Sequence, residues 1–122
     1  MNAGEKSYSL AYLTVAGVSP PEQTYIAAKA GYEFVSYRLV QMGVPGEPEC
    51  DPLAPKMILD TKAALRATGL RVLDVELARI LPDKDPQVYV PAMAAAAEFG
   101  ARHIISSAWT PGPNDREFLV TR

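Results

Sequence analysis

Arg38 and Glu76 are the two charged residues whose positions in the sequence best suit ligand binding or catalysis. Each lies near the carboxyl end of an apolar stretch that predicts a β-strand, FVSYRL for Arg38 and VLDVEL for Glu76. A guanidinium and a carboxylate on adjacent strands bind hydroxyl or carboxylate groups of a ligand and hold each other in place. The alternative is a buried structural ion pair, but desolvation offsets most of the attraction in such a pair. The strand-end position favours a ligand-binding role.

Three further residues near predicted strand ends have side chains suited to ligand contacts. Arg79 follows the third strand and suits an anionic substrate, although a solvated loop arginine is an equal alternative. Ser107, at the end of the fourth strand, donates a hydrogen bond to a substrate or caps the next helix. Trp109 forms an apolar wall against a ligand ring or a hydrophobic plug at the rim. These three residues join Arg38 as candidate substrate contacts.

Other reactive side chains give weaker signals. His103 is the only histidine and directly follows a helix end, so we expect it at the amino end of its strand, away from chemistry. Cys50 lies in a proline-rich loop with no base near it in sequence, and no nucleophile is predicted. Asp74 is expected to be structural, one layer below Glu76. Tyr12 belongs either to the core or to a site, because the alternation of apolar and polar residues along the first strand does not assign it to one face.

A sequence pattern that occurs three times predicts the helices and strands that position these residues. Residues 28–39, 66–77 and 97–108 each end a helix, place a glycine after it and continue into a β-rich stretch. Glycine fits the left-handed backbone that commonly follows a helix. A repeat of this length predicts one helix–strand unit per copy. The three glycines are Gly31, Gly69 and Gly100.

Sequence signals for the starts of helices agree with this division into helix–strand units. Ser19 precedes two prolines and stands three residues before Glu22, which predicts an N-cap with a capping box. Asp85 and Pro86 repeat the cap-then-proline arrangement before the third helix, and Pro91 should delay or kink its first turns. Strands are predicted at about 9–15, 34–39, 72–77 and 103–107.

Strands that alternate with helices imply βαβ crossovers and a parallel sheet. The long loop 41–55 follows the second strand, and such loops lie on the face that carries function. An open doubly wound sheet is the alternative, but residues 16–21 match neither GxGxxG nor a Walker sequence. Alternation assigns to the helix side of the sheet Val35, Tyr37, Leu39, Leu73, Val75 and Leu77, and to its other side Ser36, Arg38, Asp74, Glu76 and Ala78.

The segments SLAYLTVAGVSPPEQTYIAAKAGYEFVSYRL, TGLRVLDVELARILPDKDP and AAAAEFGARHIIS resemble the start of bacterial sugar phosphate isomerases/epimerases of the xylose-isomerase-like TIM barrel superfamily. The resemblance covers nearly all of residues 9–122. It implies an α/β fold, the N-terminal half of a (β/α)₈ barrel with about four parallel βα units and the start of a fourth helix. A complete barrel needs on the order of 250 residues, so residues 1–122 are expected to be one partial, truncated barrel domain.

The resemblance also implies chemistry. Members of the family usually hold a divalent ion (Mn²⁺, Mg²⁺ or Co²⁺) with carboxylates and a histidine from later strands, and no residue of this chain matches those ligands. The metal would stabilise an enediolate while a carboxylate moves a proton, and Glu76 is the candidate for that catalytic role. The expected substrate is a small sugar or sugar phosphate. The 122 residues alone are expected to be inactive.

Composition bounds the remaining partners. Twelve basic and fourteen acidic residues are spread along the chain without a basic cluster, which argues against nucleic acid. The apolar segments are far shorter than a membrane span, and a single cysteine favours a reducing, cytoplasmic setting. A sheet of four parallel strands has two edge strands whose outer backbone groups are unpaired. We therefore expect a homodimer or association with a missing half, and the alternative function is a non-catalytic half-barrel that associates in this way.

Overall fold

The computed structural model describes residues 5–108, in which strands and helices alternate. Two 3₁₀ turns, Tyr12–Val15 and Pro86–Tyr89, accompany the main elements. No helix in residues 5–108 is long and apolar enough to cross a membrane. The main elements are β1 (Ser9–Ala11), α1 (Pro20–Ala30), β2 (Phe34–Arg38), α2 (Pro55–Thr68), β3 (Arg71–Ile80), α3 (Val90–Glu98) and β4 (Ile104–Ala108).

The four strands form one parallel sheet in the order β1-β2-β3-β4. Right-handed crossovers between strands in sequential order place every helix on the same face of the sheet. A doubly wound sheet instead reverses its strand order at a switch point, and the order within residues 5–108 does not reverse. The expected α/β fold with four parallel strands is therefore confirmed.

The core lies between the helices and one face of the sheet. Tyr37 at the centre of β2 is fully buried. Its ring meets Phe99 edge-on with centroids 5.9 Å apart, and its hydroxyl is hydrogen-bonded to Thr24 of α1. Burial raises the pKa of the Tyr37 hydroxyl, and the bond to Thr24 opposes that rise only in part. Small alanines let α1 and α3 approach the sheet closely: Ala27, Ala92, Ala95 and Ala96.

The predicted helix ends are present. Gly31 and Gly69 adopt left-handed φ values of 88° and 73° after α1 and α2, and Gly100 does so near the end of α3. The Ser19 hydroxyl accepts a hydrogen bond from the Glu22 N–H at 3.4 Å, as an N-cap does. The Asp85 carboxylate caps the 3₁₀ turn Pro86–Tyr89, and α3 begins only after it. The expected late start of the third helix is confirmed.

Three strand predictions need correction. β1 ends at Ala11, because residues 12–15 coil into a 3₁₀ turn. Leu73 is not on the helix side: Val72 pairs with Val35 and Asp74 with Ser36, so Leu73 is an extra residue that leaves its side chain 46% exposed. Leu77 is a second extra residue, between Glu76 and Ala78, in the pairing with β4. Extra residues of this kind shift the alternation of every later side chain.

The second shift reverses the predicted faces beyond Glu76. Glu76 pairs with Ile105, Ala78 with Ser106 and Arg79 with Ser107. Because side chains alternate along β4, Ser107 shares the face of Ile105, whereas Ser106 lies on the helix side. Ala78 is therefore turned toward the helices, contrary to the expectation, and Arg79 takes its place on the face of Glu76.

Candidate functional site

Arg38 and Glu76 lie side by side in register at the carboxyl ends of β2 and β3. Nε and Nη2 of Arg38 lie 2.9 Å and 2.8 Å from Oε1 of Glu76, and the two side chains are only 10% and 15% exposed. Both lie on the face of the sheet opposite the core. The contact leaves Oε2 of Glu76 and Nη1 of Arg38 without hydrogen bonds to residues 5–108. The pair can therefore bind a third group without coming apart.

Tyr12 supports the guanidinium of Arg38 from the 3₁₀ turn that follows β1. The centre of the guanidinium lies 4.6 Å from the centroid of the Tyr12 ring. A cation over an aromatic face is attracted by the ring quadrupole. Tyr12 is buried, and its hydroxyl accepts a hydrogen bond from the Gly17 N–H at 3.3 Å. Tyr12 therefore belongs to both the core and the site, whereas the sequence alone did not decide between the two.

Glu47 is a second carboxylate near Arg38, and sequence reasoning did not identify it. Its Oε2 lies 3.9 Å from Nη1 of Arg38. Three successive backbone N–H groups, of Met42, Gly43 and Val44, donate to Oε1 of Glu47 at 3.1, 2.6 and 3.0 Å. A run of N–H groups around a concave turn is an anion-binding arrangement. The loop after β2 is therefore folded around its own carboxylate, which it holds against Arg38.

The pKa of Glu47 is lowered from its ordinary value. Desolvation raises it, but the hydrogen bonds from the Met42, Val44 and Gly43 N–H groups together with the charge of Arg38 outweigh that effect. A carboxyl whose folded-state pKa is lowered stabilises the fold above its ordinary pKa. That contribution disappears as the pH falls through the lowered value. The anchoring of the loop is thus a property of the ionised carboxylate.

Acidification should therefore weaken the wild-type protein more than a Glu47→Gln variant. We expect the variant to be less stable near neutral pH, and the difference in free energy of unfolding to shrink as the pH falls below the ordinary carboxyl value of 4.5. Urea denaturation at a series of pH values measures this difference. Glu49→Gln, in the same loop but exposed, is the matched control and should show no such trend. An equal stability of wild type and Glu47→Gln at every pH would contradict the role of Glu47.

Two glutamine side chains hold the surrounding backbone. Gln23 of α1 is 1% exposed and its amide donates to the carbonyls of Leu10 and Ser36 at 2.8 and 2.9 Å, which ties α1 to β1 and β2 beside Arg38. Gln41 donates to the carbonyls of Pro48 and Cys50 at 3.2 and 3.1 Å. These bonds satisfy two backbone carbonyls of the strands and two of the loop. The loop and the strand ends are therefore fixed relative to each other.

The space enclosed between these side chains is small. Arg38, Glu47, Gln23 and Cys50 line a cavity of about 10 Å³. A cavity of that size holds about one water molecule. A larger ligand does not fit in this cavity, so at this end of the sheet it has to bind on the uncovered face next to the Arg38–Glu76 pair. Cys50 is a free cysteine and has no histidine among these lining residues.

Arg79 and Ser107 extend the site along the same face. They are register partners on β3 and β4, three and two positions beyond Glu76 and Ile105 respectively. Nε of Arg79 is buried and donates to no atom of residues 5–108. Ser107 is half-buried. The structure thus brings two of the predicted substrate contacts to the face that carries Arg38 and Glu76, whereas the predicted contact Trp109 lies outside the described residues.

Asp74 and His103 lie away from the strand ends that carry Arg38. Asp74 pairs with Ser36 one layer below Glu76, and its buried Oδ1 has no hydrogen-bond partner in residues 5–108. His103 immediately precedes β4, at the amino end of the sheet, where it was expected. Residues 5–108 contain no group of three or more His, Cys, Asp or Glu side chains placed to hold a metal ion. Residues 5–108 therefore do not fit a metal site by themselves.

Strand alternation predicted that Arg38 and Glu76 lie on this face. It could not identify Glu47 or Gln23, since neither lies on a strand. The only signal for Glu47 was its position in the long loop that follows a strand end. In comparisons with known proteins, no family model and no curated protein matches the sequence.

Proposed function

We propose that residues 5–108 form the substrate-binding side of a sugar or sugar-phosphate isomerase/epimerase. The observation that carries the proposal is the Arg38–Glu76 pair, which lies at the carboxyl ends of neighbouring parallel strands on the face opposite the helices. Ligands of parallel α/β proteins bind at this end of the strands. The resemblance to barrel isomerases adds the substrate class. A (β/α)₈ barrel is accordingly the proposed context of the four-stranded sheet.

The proposed reaction moves a proton between carbons of a polyhydroxy carbonyl compound. Oε2 of Glu76 would take the proton from the carbon next to the carbonyl and return it, on the same face, to the former carbonyl carbon, while the proton of the neighbouring hydroxyl passes to the former carbonyl oxygen. Arg38 would donate through Nη1 to the oxygen on which negative charge develops. Its two bonds to Oε1 keep the Glu76 carboxylate in place during both transfers. Arg79, whose Nε has no partner in residues 5–108, supplies a further donor to substrate oxygens.

The divalent ion implied by the resemblance has no ligand set within residues 5–108. The steps above therefore use only side chains of this chain. Binding, not turnover, is the appropriate readout for these residues.

The test is a titration of the 122-residue chain with a panel of aldoses, ketoses and their phosphate esters, followed by ¹H–¹⁵N NMR. Saturable shifts at the amides of β2 and β3 around Arg38 and Glu76 are expected for at least one sugar. Arg38→Lys keeps the charge opposite Glu76 but loses the planar fork, so it should weaken binding about tenfold. Arg66→Lys, on the exposed side of α2, is the matched control and should bind like wild type.

The alternative, a non-catalytic half-barrel that associates with itself, predicts a different result. No sugar would shift these amides, and light scattering would give twice the chain mass of 13.2 kDa. That combination would reject the proposed function.

A further inference from the structure

A groove lies at the amino ends of the strands, at the opposite end of the sheet from Arg38 and Glu76. Phe34 and Arg71 pair at the starts of β2 and β3, and His103 directly precedes β4. The groove has a volume of about 520 Å³. Pockets for small molecules span roughly 300–1,000 Å³. It is therefore ligand-sized, whereas the cavity beside Arg38 holds a single water. Its principal lining side chains are Phe34, Arg71, Leu73, Phe99, Arg102 and His103.

The charged side chains that line the groove from residues 5–108 are all of basic type. Arg71, Arg102 and His103 line it and are exposed, and no acidic side chain of the described residues lines it. Neither arginine forms an ion pair with another of residues 5–108. Arg71 lies over the Phe34 ring, its Cζ 4.7 Å from the centroid, a contact that engages the ring face and not a hydrogen-bond acceptor. The guanidinium donors of both arginines therefore remain available to an anion.

Glu33 and Asp74 lie close to the lining residues in sequence, but neither side chain lines the groove. Glu33 precedes Phe34, but its carboxylate accepts a hydrogen bond from the Tyr8 N–H at 3.0 Å and it does not line the groove. Asp74 lies further along β3, in register with Ser36. The positive character of the groove is thus not cancelled by a neighbouring carboxylate among the lining residues.

An apolar floor accompanies the two arginines. Leu73 is 46% exposed because it is the extra residue in the pairing of β2 with β3, and it lies in the groove with the half-buried Phe34. Phe99, at the end of α3, adds a second aromatic ring. Ligand pockets typically combine such an apolar lining with a few polar groups that fix orientation. The ligand that matches this groove carries both an anionic group and an apolar portion.

We propose that the groove is a binding site for a small phosphate monoester with an apolar organic group. The planar guanidinium forks of Arg71 and Arg102 match the geometry of phosphate oxygens. Phe34 and Leu73 contact the organic portion. The site lies at the opposite end of the strands from the Arg38–Glu76 pair and does not depend on the function proposed for that pair. A nucleic acid is a poor match, since the chain carries a net charge of −2 and the groove only two arginines.

Phenyl phosphate and inorganic phosphate are the probes, titrated into the 122-residue chain with ¹H–¹⁵N NMR at constant ionic strength. Both should shift the amides of Arg71, Arg102 and His103, and phenyl phosphate should bind severalfold tighter because its ring reaches the apolar floor. Arg71→Ala and Arg102→Ala should each weaken phenyl phosphate binding about tenfold. Arg66→Ala removes an exposed arginine outside the groove and should change nothing.

Leu73→Ala separates the two parts of the proposal. It should weaken phenyl phosphate and leave inorganic phosphate unchanged, because only the former uses the apolar floor. Far-ultraviolet circular dichroism of each variant establishes that it is folded, and two independent arginine variants keep the test decisive if one of them is not. The proposal is overturned if phenyl phosphate gives no saturable shifts at these amides, or if Arg66→Ala weakens binding as much as Arg71→Ala and Arg102→Ala.

Discussion

Replacing Arg38 with methionine is expected to lower the free energy of unfolding by about 3 kcal/mol, the typical cost of breaking a largely buried ion pair by removing one partner. The side chains of Arg38 and Glu76 are 10% and 15% exposed, so the remaining Glu76 carboxylate would lose its counter-charge without gaining free access to water. Glu47 would lose Arg38 as well, although it keeps its three backbone donors. Urea denaturation at neutral pH measures the change.

The double variant Arg38→Met/Glu76→Met should recover most of that loss, because apolar replacement of a whole buried pair is often neutral. Lys56→Ala is the control for an ordinary ion pair. Lys56 and Asp60 lie 2.7 Å apart on α2 but are 85% and 47% exposed, so the variant should cost under about 0.5 kcal/mol. A cost for Arg38→Met no greater than for Lys56→Ala would show that the pair carries no buried charge.

Replacing Tyr37 with alanine should have the largest effect of any single change in the core, about 4 kcal/mol. Its side chain is fully buried, contacts Phe99 edge-on and is hydrogen-bonded through its hydroxyl to Thr24. Truncation removes the ring, leaves a cavity between β2 and α1, and leaves the Thr24 hydroxyl without that partner. Domains of this size have only about 5–15 kcal/mol of stability, so a large part of it depends on this one ring.

Tyr37→Phe separates the hydroxyl from the ring and should cost about 1 kcal/mol, the usual net value of one hydrogen bond. Tyr25→Ala is the matched control. It removes the same kind of side chain, but Tyr25 lies on α1 and is 51% exposed, so the variant should cost under about 0.5 kcal/mol. Urea denaturation monitored by circular dichroism provides all three values. If Tyr37→Phe cost as much as Tyr37→Ala, the hydroxyl and not the ring would be the main contribution of Tyr37.

The two ends of the sheet differ in chemistry. At the carboxyl ends, Arg38 is neutralised by Glu76 and held near Glu47, an arrangement suited to polar, hydrogen-bonding ligands. At the amino ends, Arg71 and Arg102 line a groove to which residues 5–108 contribute no carboxylate. A ligand with a free anionic group is therefore favoured at the amino ends. The two titrations described above test the two ends independently, because their reporter amides lie at opposite ends of the strands.

Local patterns in the sequence determined the parallel α/β fold and one part of the site. Glycine is the residue that adopts a left-handed φ at little cost, so the positions of Gly31 and Gly69 identified helix ends without knowledge of the tertiary structure. Alternation along β2 placed Arg38 opposite the core because the strand face repeats every two residues. Arg38 and Glu76 could therefore be paired before any coordinates were known.

Tertiary structure alone decided the rest, because it depends on partners distant in sequence. Leu73 and Leu77 are extra residues only relative to the hydrogen-bond registers of β2 and β4, and nothing local distinguishes them from their neighbours on β3. Those two shifts put Arg79 in place of Ala78 on the face of Glu76 and expose Leu73 in the groove. Glu47 reaches Arg38 only because its loop folds back around its carboxylate. Local patterns thus assign residues to faces, whereas the pairing of distant strands decides where along each strand that assignment changes.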